Sequence, residues 1–306
     1  MTCPLTRARD SRREAPPRRR LLRAARAAFL IALSLVVGLP IGCSGGGDEP
    51  AGDGLSGKLT LTGSSTVAPL VSDIARRFES EHPGVRVDVQ TGGSSRGITD
   101  ALSGLADIGM SSRGLTEDEL AEGRETHAVA HDGVCFIVHA SNPVESLTDE
   151  QLRSIFTGEI TRWEEVGGTP GEITVYNRAE GRSELKLMGK YLGIEAADFA
   201  PDVISGENQQ GIKQVASDPS SICYMSVGAS EFAANNGTTL KLLPLRGVAA
   251  GAQTVASGEF PCGRPLLLVT QAGELSPLAS AFIEYARSSA VQDLVRDHAF
   301  VAAAPL

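Results

Sequence analysis

Apolar and polar positions alternate along the chain in a pattern that predicts short strands separated by amphipathic helices. Strand-like runs lie at residues 59–61, 85–89 and 106–110, and helical runs lie between them at 68–82 and 97–104. Strands that alternate with helices are typical of βαβ units, in which helices cover a parallel sheet. The first part of the folded chain is therefore expected to form a parallel α/β sheet.

The alternation begins again after residue 131, which favours a second sheet. One strand is predicted before this point, at 128–130, and another follows it, at 134–138. Two further helix starts have a capping-box pattern, Thr116 with Glu119 and Thr148 with Gln151. The other predicted elements are strands at 173–176, 221–226, 240–245 and 266–269 and helices at 148–156, 183–192, 201–216 and 277–298.

Residues 1–42 have the layout of a signal peptide. Nine arginines between residues 7 and 26 precede an apolar stretch at 27–41, the order that secretory signals show. The apolar stretch is shorter than the roughly 20 residues that a membrane-spanning helix needs. Export of the protein and removal of this leader are therefore expected. A twin-arginine signal is disfavoured, because residues 14–17 are not apolar.

Cys43 directly follows this leader and resembles the lipidated cysteine of bacterial lipoproteins. Pro40 stands where that pattern usually has leucine, although its neighbours Leu39 and Ile41 are apolar. The resemblance implies a lipid anchor at Cys43 and a protein that faces the periplasm or the cell exterior. A plain secretory signal with an unmodified cysteine is the alternative. Residues 43–57, rich in glycine, serine and acidic side chains, are expected to form a flexible tether.

The charge of the folded part argues against nucleic acid as a partner. The first 43 residues hold nine arginines and two acidic residues, so the remainder carries 19 basic against 35 acidic residues, a formal net charge of −16. Such a surface repels polyanions. An anionic ligand would therefore need a local patch of N–H donors, hydroxyls and arginines.

Cysteine and histidine give no sign of a metal or cofactor site. Cys135, Cys223 and Cys262 lack metal-ligand spacing, and the five histidines are scattered. Cys135 and Cys223 lie within strand-like runs, where a buried thiol is the usual role. We expect no cofactor, and the sequence leaves any disulfide pairing open.

Three hydroxyl-rich turns each follow a strand-like run, at residues 63–66, 92–97 and 107–113. Glycine and serine between a strand and a helix allow backbone N–H groups to converge on one point, with the positive end of the helix dipole behind them. This arrangement is suited to an oxyanion. Ordinary serine and threonine N-caps are the alternative interpretation.

These turns belong to a series of phrases that resemble, in order, the phosphate-binding proteins of bacterial ABC transporters (PstS type). The phrases are GSSTVAPLV from Gly63, GGSSRGI from Gly92, ADIGMSSR from Ala106, AHDGV from Ala130, IFTGEITRWEEVGG from Ile155, ICYMSVG from Ile222 and RPLLLVT from Arg264. The resemblance implies a type II periplasmic-binding-protein fold, with two α/β lobes, crossover strands and a ligand cleft between the lobes. Lobe one would comprise residues 58–132 and 264–306, and lobe two residues 133–263.

The resemblance also implies a site for inorganic phosphate or a related tetrahedral oxyanion, built from four loops. Arginine supplies paired donors to such anions. The implied ligand-binding residues are Ser64, Ser65, Thr66, Ser94, Ser95, Ser112, Arg113, Arg178, Arg182 and Ser183.

The chain departs from the family pattern at two places in this site. Ser112 stands where some relatives have an aspartate that accepts the proton of phosphate. Arg182, Ser183 and Glu184 replace the serine, glycine and threonine that common relatives have. Glu184 would either accept a ligand proton or form a salt bridge with Arg178 or Arg182. Phosphate and another oxyanion both stay open as the ligand.

The resemblance implies a monomer that captures its ligand by lobe closure and delivers it to the permease of an ABC transporter, without catalysis. An oxyanion-binding sensor or surface protein is an alternative. A serine hydrolase is another, because residues 93–97 fit the G-x-S-x-G pattern with Ser95 as nucleophile. That alternative needs a late histidine, for which only His298 has a suitable place in the chain. A Walker A phosphate loop is absent from the sequence.

Overall fold

The computed structural model describes residues 54–273 and 275–303. The predicted signal peptide, Cys43 and residues 43–53 of the predicted tether lie outside the described residues. The first strand begins at Gly57, one residue before the expected start of the folded part. Within the described ranges, no helix is both long and apolar enough to cross a membrane.

Ten strands form the centre of the described structure. They are β1 (Gly57–Gly63), β2 (Val85–Thr91), β3 (Ile108–Ser111), β4 (Arg124–His139), β5 (Thr174–Arg178), β6 (Val203–Ser205), β7 (Ser221–Ser226), β8 (Leu240–Leu242), β9 (Gly263–Gln271) and β10 (Val301–Ala302).

Helices lie between most of these strands. They are α1 (Ala68–Glu81), α2 (Ser94–Leu102), α3 (Glu117–Ala121), α4 (Asp149–Phe156), α5 (Ser183–Leu192), α6 (Asn208–Ser217), α7 (Val227–Asn235), α8 (Ala252–Ala256), α9 (Pro277–Arg287) and α10 (Gln292–Asp297). Short 3-10 helices are at Trp163–Val166, Ala196–Asp198 and Ser289–Val291.

The strands join in the order β2-β1-β3-β9-β4-β7-β5-β6, with β8 and β10 also paired to β4. The three strands β2, β1 and β3 are parallel, as are β6, β5 and β7. The long strands β4 and β9 are antiparallel to their neighbours, and β9 pairs with the first half of β4 while β7 pairs with the second half. The strands thus form one mixed sheet instead of the two sheets expected, and β4 and β9 are the crossover strands.

Two hydrophobic cores define two lobes. The core of lobe one contains residues between Leu59 and Ala130 and between Leu266 and Phe300, and it includes α1 and α9. The core of lobe two contains residues between Val134 and Cys262. β4 contributes residues to both cores, and β9, which pairs with it, contributes to the core of lobe one, so the lobes meet along β4. The fold is the type II periplasmic-binding-protein fold.

The structure corrects several predicted elements. The strands expected at 128–130 and 134–138 are one strand, β4, because the segment between them keeps its pairing with β9 across Asp132 and Gly133. The helix expected at 277–298 is divided into α9, a 3-10 turn and α10. The helix expected at 201–216 is preceded by β6 and begins only at Asn208. Both capping boxes are confirmed, at Thr116 and at Thr148.

Candidate functional site

The three hydroxyl-rich turns meet because they follow the carboxyl ends of neighbouring parallel strands. β1 ends at Gly63, directly before Ser64, and β3 ends at Ser111, directly before Ser112. β2 leads into α2, whose first residue is Ser94. Strands that run parallel bring their carboxyl ends to the same edge of the sheet, which is where ligands bind in open α/β sheets.

Gly97 allows α2 to lie directly against this edge of the sheet. A Cβ at this position would be 2.6 Å from the carbonyl oxygen of Thr62 and 2.7 Å from that of Met110. The backbone of α2 therefore packs against β1 and β3 at a distance that only glycine permits. This close packing places the N-terminus of α2 beside the Ser64 and Ser112 loops.

Four buried serine hydroxyls meet around Ser112 Oγ and connect the lobes. Ser64 Oγ donates to Ser112 Oγ at 2.8 Å, and Ser112 Oγ lies 3.4 Å from Ser94 Oγ. Ser112 Oγ is also 2.6 Å from Ser183 Oγ, which belongs to the first turn of α5 in lobe two. All four side chains are buried. The structure thus brings together four of the predicted ligand-binding residues.

Arg178, at the end of β5, is the buried cation that lobe two contributes. Its side chain donates to Asn208 Oδ1 at 3.2 Å and to the carbonyl oxygen of Glu207 at 3.2 Å. Asn208 Nδ2 in turn donates to Thr66 Oγ1 of lobe one at 2.8 Å. Arg178 Nε is buried and has no hydrogen-bond partner among the described residues, a costly state for a charged donor.

Arg264, on β9, is a second buried cation at this place, and it contacts both lobes. Its Nη1 donates to Ser183 Oγ at 2.9 Å and to Glu184 Oε1 at 3.0 Å. Its Nη2 donates to Asp132 Oδ2 at 2.9 Å and to Thr66 Oγ1 at 3.3 Å. Arg264 therefore links the crossover strands to the loops of both lobes.

We call Arg178, Arg264, Asp132 and Glu184 the buried charge cluster; two guanidinium groups are balanced in it by two carboxylates. Burial by itself raises the pKa of Glu184, but the charges of Arg264 and then Arg178 more than offset it and hold this pKa at about 2. Burial likewise lowers the pKa of Arg264, whereas Glu184 and Asp132 raise it above its ordinary value. Glu184 and Arg264 are thus both charged at neutral pH.

Glu184 forms an ion pair with one of the two arginines that the sequence suggested, Arg178, and it also contacts Thr66 and Arg264. Its Oε1 accepts from Thr66 Oγ1 at 2.9 Å and from Arg264, while its Oε2 lies 4.0 Å from Arg178 Nε. Arg178 therefore lies at the limit of the distance for an ion pair with Glu184. Arg182 instead pairs with Glu207, at 2.7 Å.

Some predicted site residues lie outside the cluster. Arg113 forms a two-pronged ion pair with Glu119, at 2.7 and 2.8 Å, and so does not reach the serine hydroxyls. Ser95 is exposed, and Arg182 Nη1 is 3.4 Å from Ser65 Oγ at the edge of the cleft. Ser95, Arg113 and Arg182 instead line an open groove of about 720 Å³.

Three residues of the site escaped the prediction from sequence: Arg264, Asp132 and Asn208. The first two belong to the phrases RPLLLVT and AHDGV that carry the family resemblance, so those phrases were a usable signal. Asn208 stands at the start of α6 and has no such signal. It was missed because its role depends on the start of α6 lying beside the side chain of Arg178.

The site brings together hydrogen-bond donors from both lobes that are suited to an oxyanion. Buried hydroxyls, two guanidinium groups and the N-termini of α2 and α5 converge there, and helix N-termini favour anions. Among the described residues, no group of histidine, cysteine and acidic side chains could hold a metal ion. Cys135, Cys223 and Cys262 are buried free thiols.

The arrangement expected for a serine hydrolase is not assembled around Ser95. His298 Nε2 is 2.8 Å from Asp73 Oδ2, and its ring is stacked on Phe300. Within the described ranges, Ser95 and His298 share no hydrogen bond. The exposed Ser95 therefore lacks the base that a nucleophilic serine needs.

Comparison with known proteins places this chain in a family. Residues 48–290 match the family described as the PBP superfamily domain. The phosphate-binding protein PstS of Bacillus subtilis is 31% identical over 258 residues, which cover 83% of this chain and 82% of that protein. The chain belongs to the PstS family. A second PstS relative, from Borreliella burgdorferi, is 27% identical over 250 residues, 79% of this chain and 89% of that protein.

Solved structures of PstS-like proteins share the fold. One, described as a phosphate ABC transporter substrate-binding protein from Clostridium perfringens with bound phosphate, matches with a TM-score of 0.75 and 28% identity, covering 81% of this chain and all (100%) of that one. An ABC-type phosphate transport receptor from Vibrio cholerae matches with a TM-score of 0.67 and 27% identity, over 80% of this chain and 100% of that chain.

Proposed function

We propose that the protein is an extracytoplasmic solute-binding protein that captures inorganic phosphate and delivers it to the permease of an ABC transporter. The observation that carries this proposal is the meeting of two buried arginines with hydroxyls from both lobes. Arg178 is 1% exposed and Arg264 is 3% exposed, and Arg178 Nε has no hydrogen-bond partner among the described residues, so an anion that accepted from this donor would relieve a costly state. The phosphate named for the Clostridium perfringens neighbour supports the choice of anion.

The residues proposed to hold phosphate divide between the lobes. Lobe one would supply the hydroxyls of Ser64, Thr66, Ser94 and Ser112, and lobe two would supply Arg178 and Ser183. Ser65, Ser95 and Arg182 would act at the mouth of the cleft. Arg113 would contribute only if its guanidinium left Glu119. Because donors come from both sides, bound phosphate would favour the closed arrangement of the lobes, and closure would present the loaded protein to the permease.

We also propose how the protein is exported and anchored and where its two lobes divide. It would be exported by the leader at residues 1–42, anchored through lipid on Cys43 and tethered by residues 43–57, acting as a monomer without catalysis. The lobe division at residues 58–132 with 264–306 and at 133–263 is supported by the two separate hydrophobic cores. A crossover at β4 and β9 would let the lobes move as two bodies.

Isothermal titration calorimetry of the protein from Ser44 onward, with phosphate and then sulfate, tests the proposed ligand. Saturable one-to-one phosphate binding that sulfate does not displace is the expected result. An absence of heat with phosphate, in a protein whose circular dichroism shows it to be folded, would contradict the proposal. Sulfate binding at least as tight as phosphate binding would assign a different oxyanion.

A further inference from the structure

Glu184 occupies the point at which the donors of the site converge. Thr66 Oγ1 and Arg264 Nη1 donate to the same carboxylate oxygen, at 2.9 and 3.0 Å. The other oxygen faces Arg178 Nε at 4.0 Å. The carboxylate is thus held by a hydroxyl of lobe one and by two guanidinium groups, which are the kinds of donor that an oxyanion ligand also requires.

The charge balance of the buried charge cluster also opposes the binding of an anion beside Glu184. Arg178 and Arg264 are already neutralised by Glu184 and Asp132. A phosphate that entered beside all four groups would leave a net negative charge in a buried place, which is costly. A phosphate that took over the donors of Glu184 would instead find two cations facing one remaining carboxylate, Asp132.

We propose that Glu184 is an internal competitor of the ligand: its carboxylate holds the lobes closed without phosphate, and an incoming oxyanion must displace it from Thr66 and Arg264. The closure by Glu184 stands independently of the ligand, whereas the competition rests on the proposed function. Glu184 belongs to α5 of lobe two and Thr66 precedes α1 of lobe one, so this hydrogen bond crosses the cleft.

Neighbouring groups keep Glu184 charged in the absence of ligand. The charged and titratable side chains that face it are Arg178 on β5, Arg264 on β9, and Cys223 and Tyr224 on β7; Asp132 on β4 lies on the other side of Arg264 Nη2. The two arginines dominate, and the pKa of Glu184 is held at about 2. The competition therefore persists over the whole neutral range of pH.

Small-angle X-ray scattering without any anion tests the closure. Glu184→Gln keeps the side-chain shape and removes the charge, and Glu184→Thr is a second variant that shortens the side chain. Glu180→Gln is the matched control, because Glu180 is an exposed carboxylate in the loop directly before α5. We expect the parent protein and the control to have the same radius of gyration with and without phosphate. Both Glu184 variants should be larger without phosphate and contract when it is added.

Titration with inorganic phosphate tests the competition. Removal of the internal anion should tighten phosphate binding by Glu184→Gln at least about tenfold relative to the parent protein and the control. A ligand-free parent protein as expanded as its Glu184 variants would overturn the closure. Parent binding equal to or tighter than that of both variants would overturn the competition. If no protein bound phosphate, the proposed function would fail, while the scattering comparison would still decide the closure.

Discussion

Ser112 Oγ and Ser183 Oγ lie 2.6 Å apart although they belong to different lobes. Close by, the backbone N–H of Ser95 donates to the carbonyl oxygen of Gly181 at 3.2 Å, again across the cleft. Both contacts join the N-terminal turn of a helix in one lobe to the opposite lobe. The described arrangement is therefore closed, and its affinity for an anion depends on groups that only closure brings together.

Substitution of Arg178 and of Arg113 tests directly which of the two arginines binds the ligand. Hydrogen bonds to charged groups contribute about 1.5 to 3 kcal/mol each, so Arg178→Ala should weaken phosphate binding at least about tenfold. Arg113→Ala should change it less than about twofold, because Glu119 holds that guanidinium away from the cluster. Calorimetric titration of both variants checks this. A larger loss at Arg113 than at Arg178 would reverse the assignment.

Arg264 should be needed for both stability and binding. Lysine keeps the charge but cannot donate to Asp132, Ser183 and Thr66 from one planar group. We expect Arg264→Lys to lower the free energy of unfolding in urea by about 2 kcal/mol or more and to weaken phosphate binding at least about tenfold. The control Arg96→Lys changes a half-exposed guanidinium that pairs with Asp100 and should cost less than about 1 kcal/mol. Equal effects of the two substitutions would count against the role of Arg264.

Gly97 should be intolerant of any side chain. A Cβ there would meet two backbone carbonyl oxygens at 2.6 and 2.7 Å, so α2 would have to move away from the sheet. Gly97→Ala should destabilise the protein by about 3 kcal/mol, at the upper end of the cost of overpacking. Gly114→Ala is the control, because nothing lies within 4 Å of its Cβ position. Urea unfolding should show a change within about 0.5 kcal/mol for the control, and a similarly small change at Gly97 would refute the packing argument.

The ion pair between Glu119 and Arg113 should make part of the free energy of unfolding depend on pH. The hydrogen bond from Arg113 is the main cause that lowers the pKa of Glu119 from 4.5 to about 2. Because the pKa of Glu119 is lower in the folded protein, its carboxylate stabilises the fold when the pH is above the ordinary pKa of 4.5. This contribution is lost as the pH falls from about 4.5 to about 2. Glu119→Gln keeps the capping box with Thr116 and removes the charge.

Unfolding free energies measured at several pH values check this dependence. The parent protein should be more stable than Glu119→Gln near neutral pH, and the difference should shrink as the pH falls through this range. Glu117→Gln, an exposed carboxylate on the same helix, should show a small and nearly constant difference. A constant difference for Glu119→Gln would mean that the ion pair does not stabilise the fold.

Local signals in the sequence predicted much of the fold. The capping boxes at Thr116 and Thr148 and the helix 183–192 depend on neighbouring residues, and all three predictions are confirmed. The continuous β4 was not predicted, because its middle looks polar at His131-Asp132-Gly133. Its continuity comes from pairing with β9, more than 120 residues away in the chain.

The meeting of Ser64, Ser94 and Ser112 was predictable, because their turns follow the ends of neighbouring parallel strands. The direction of a charged side chain was not predictable where an ion pair decides it. Arg113 is turned away by Glu119, six residues along the chain, whereas Arg264 reaches the cluster because β9 crosses between the lobes. The pattern of residues along the chain does not show which of these ion pairs form.

A crystal structure of the protein with arsenate, located by its anomalous scattering, tests the central claim most directly. Arsenate is a tetrahedral analogue of phosphate, and its arsenic atom gives an unambiguous position. The account predicts one fully occupied arsenate within hydrogen-bond distance of Arg178 and Ser112, with the Glu184 carboxylate moved away from Arg264. Arsenate bound only in the open groove beside Arg182, with the buried charge cluster unchanged, would contradict it.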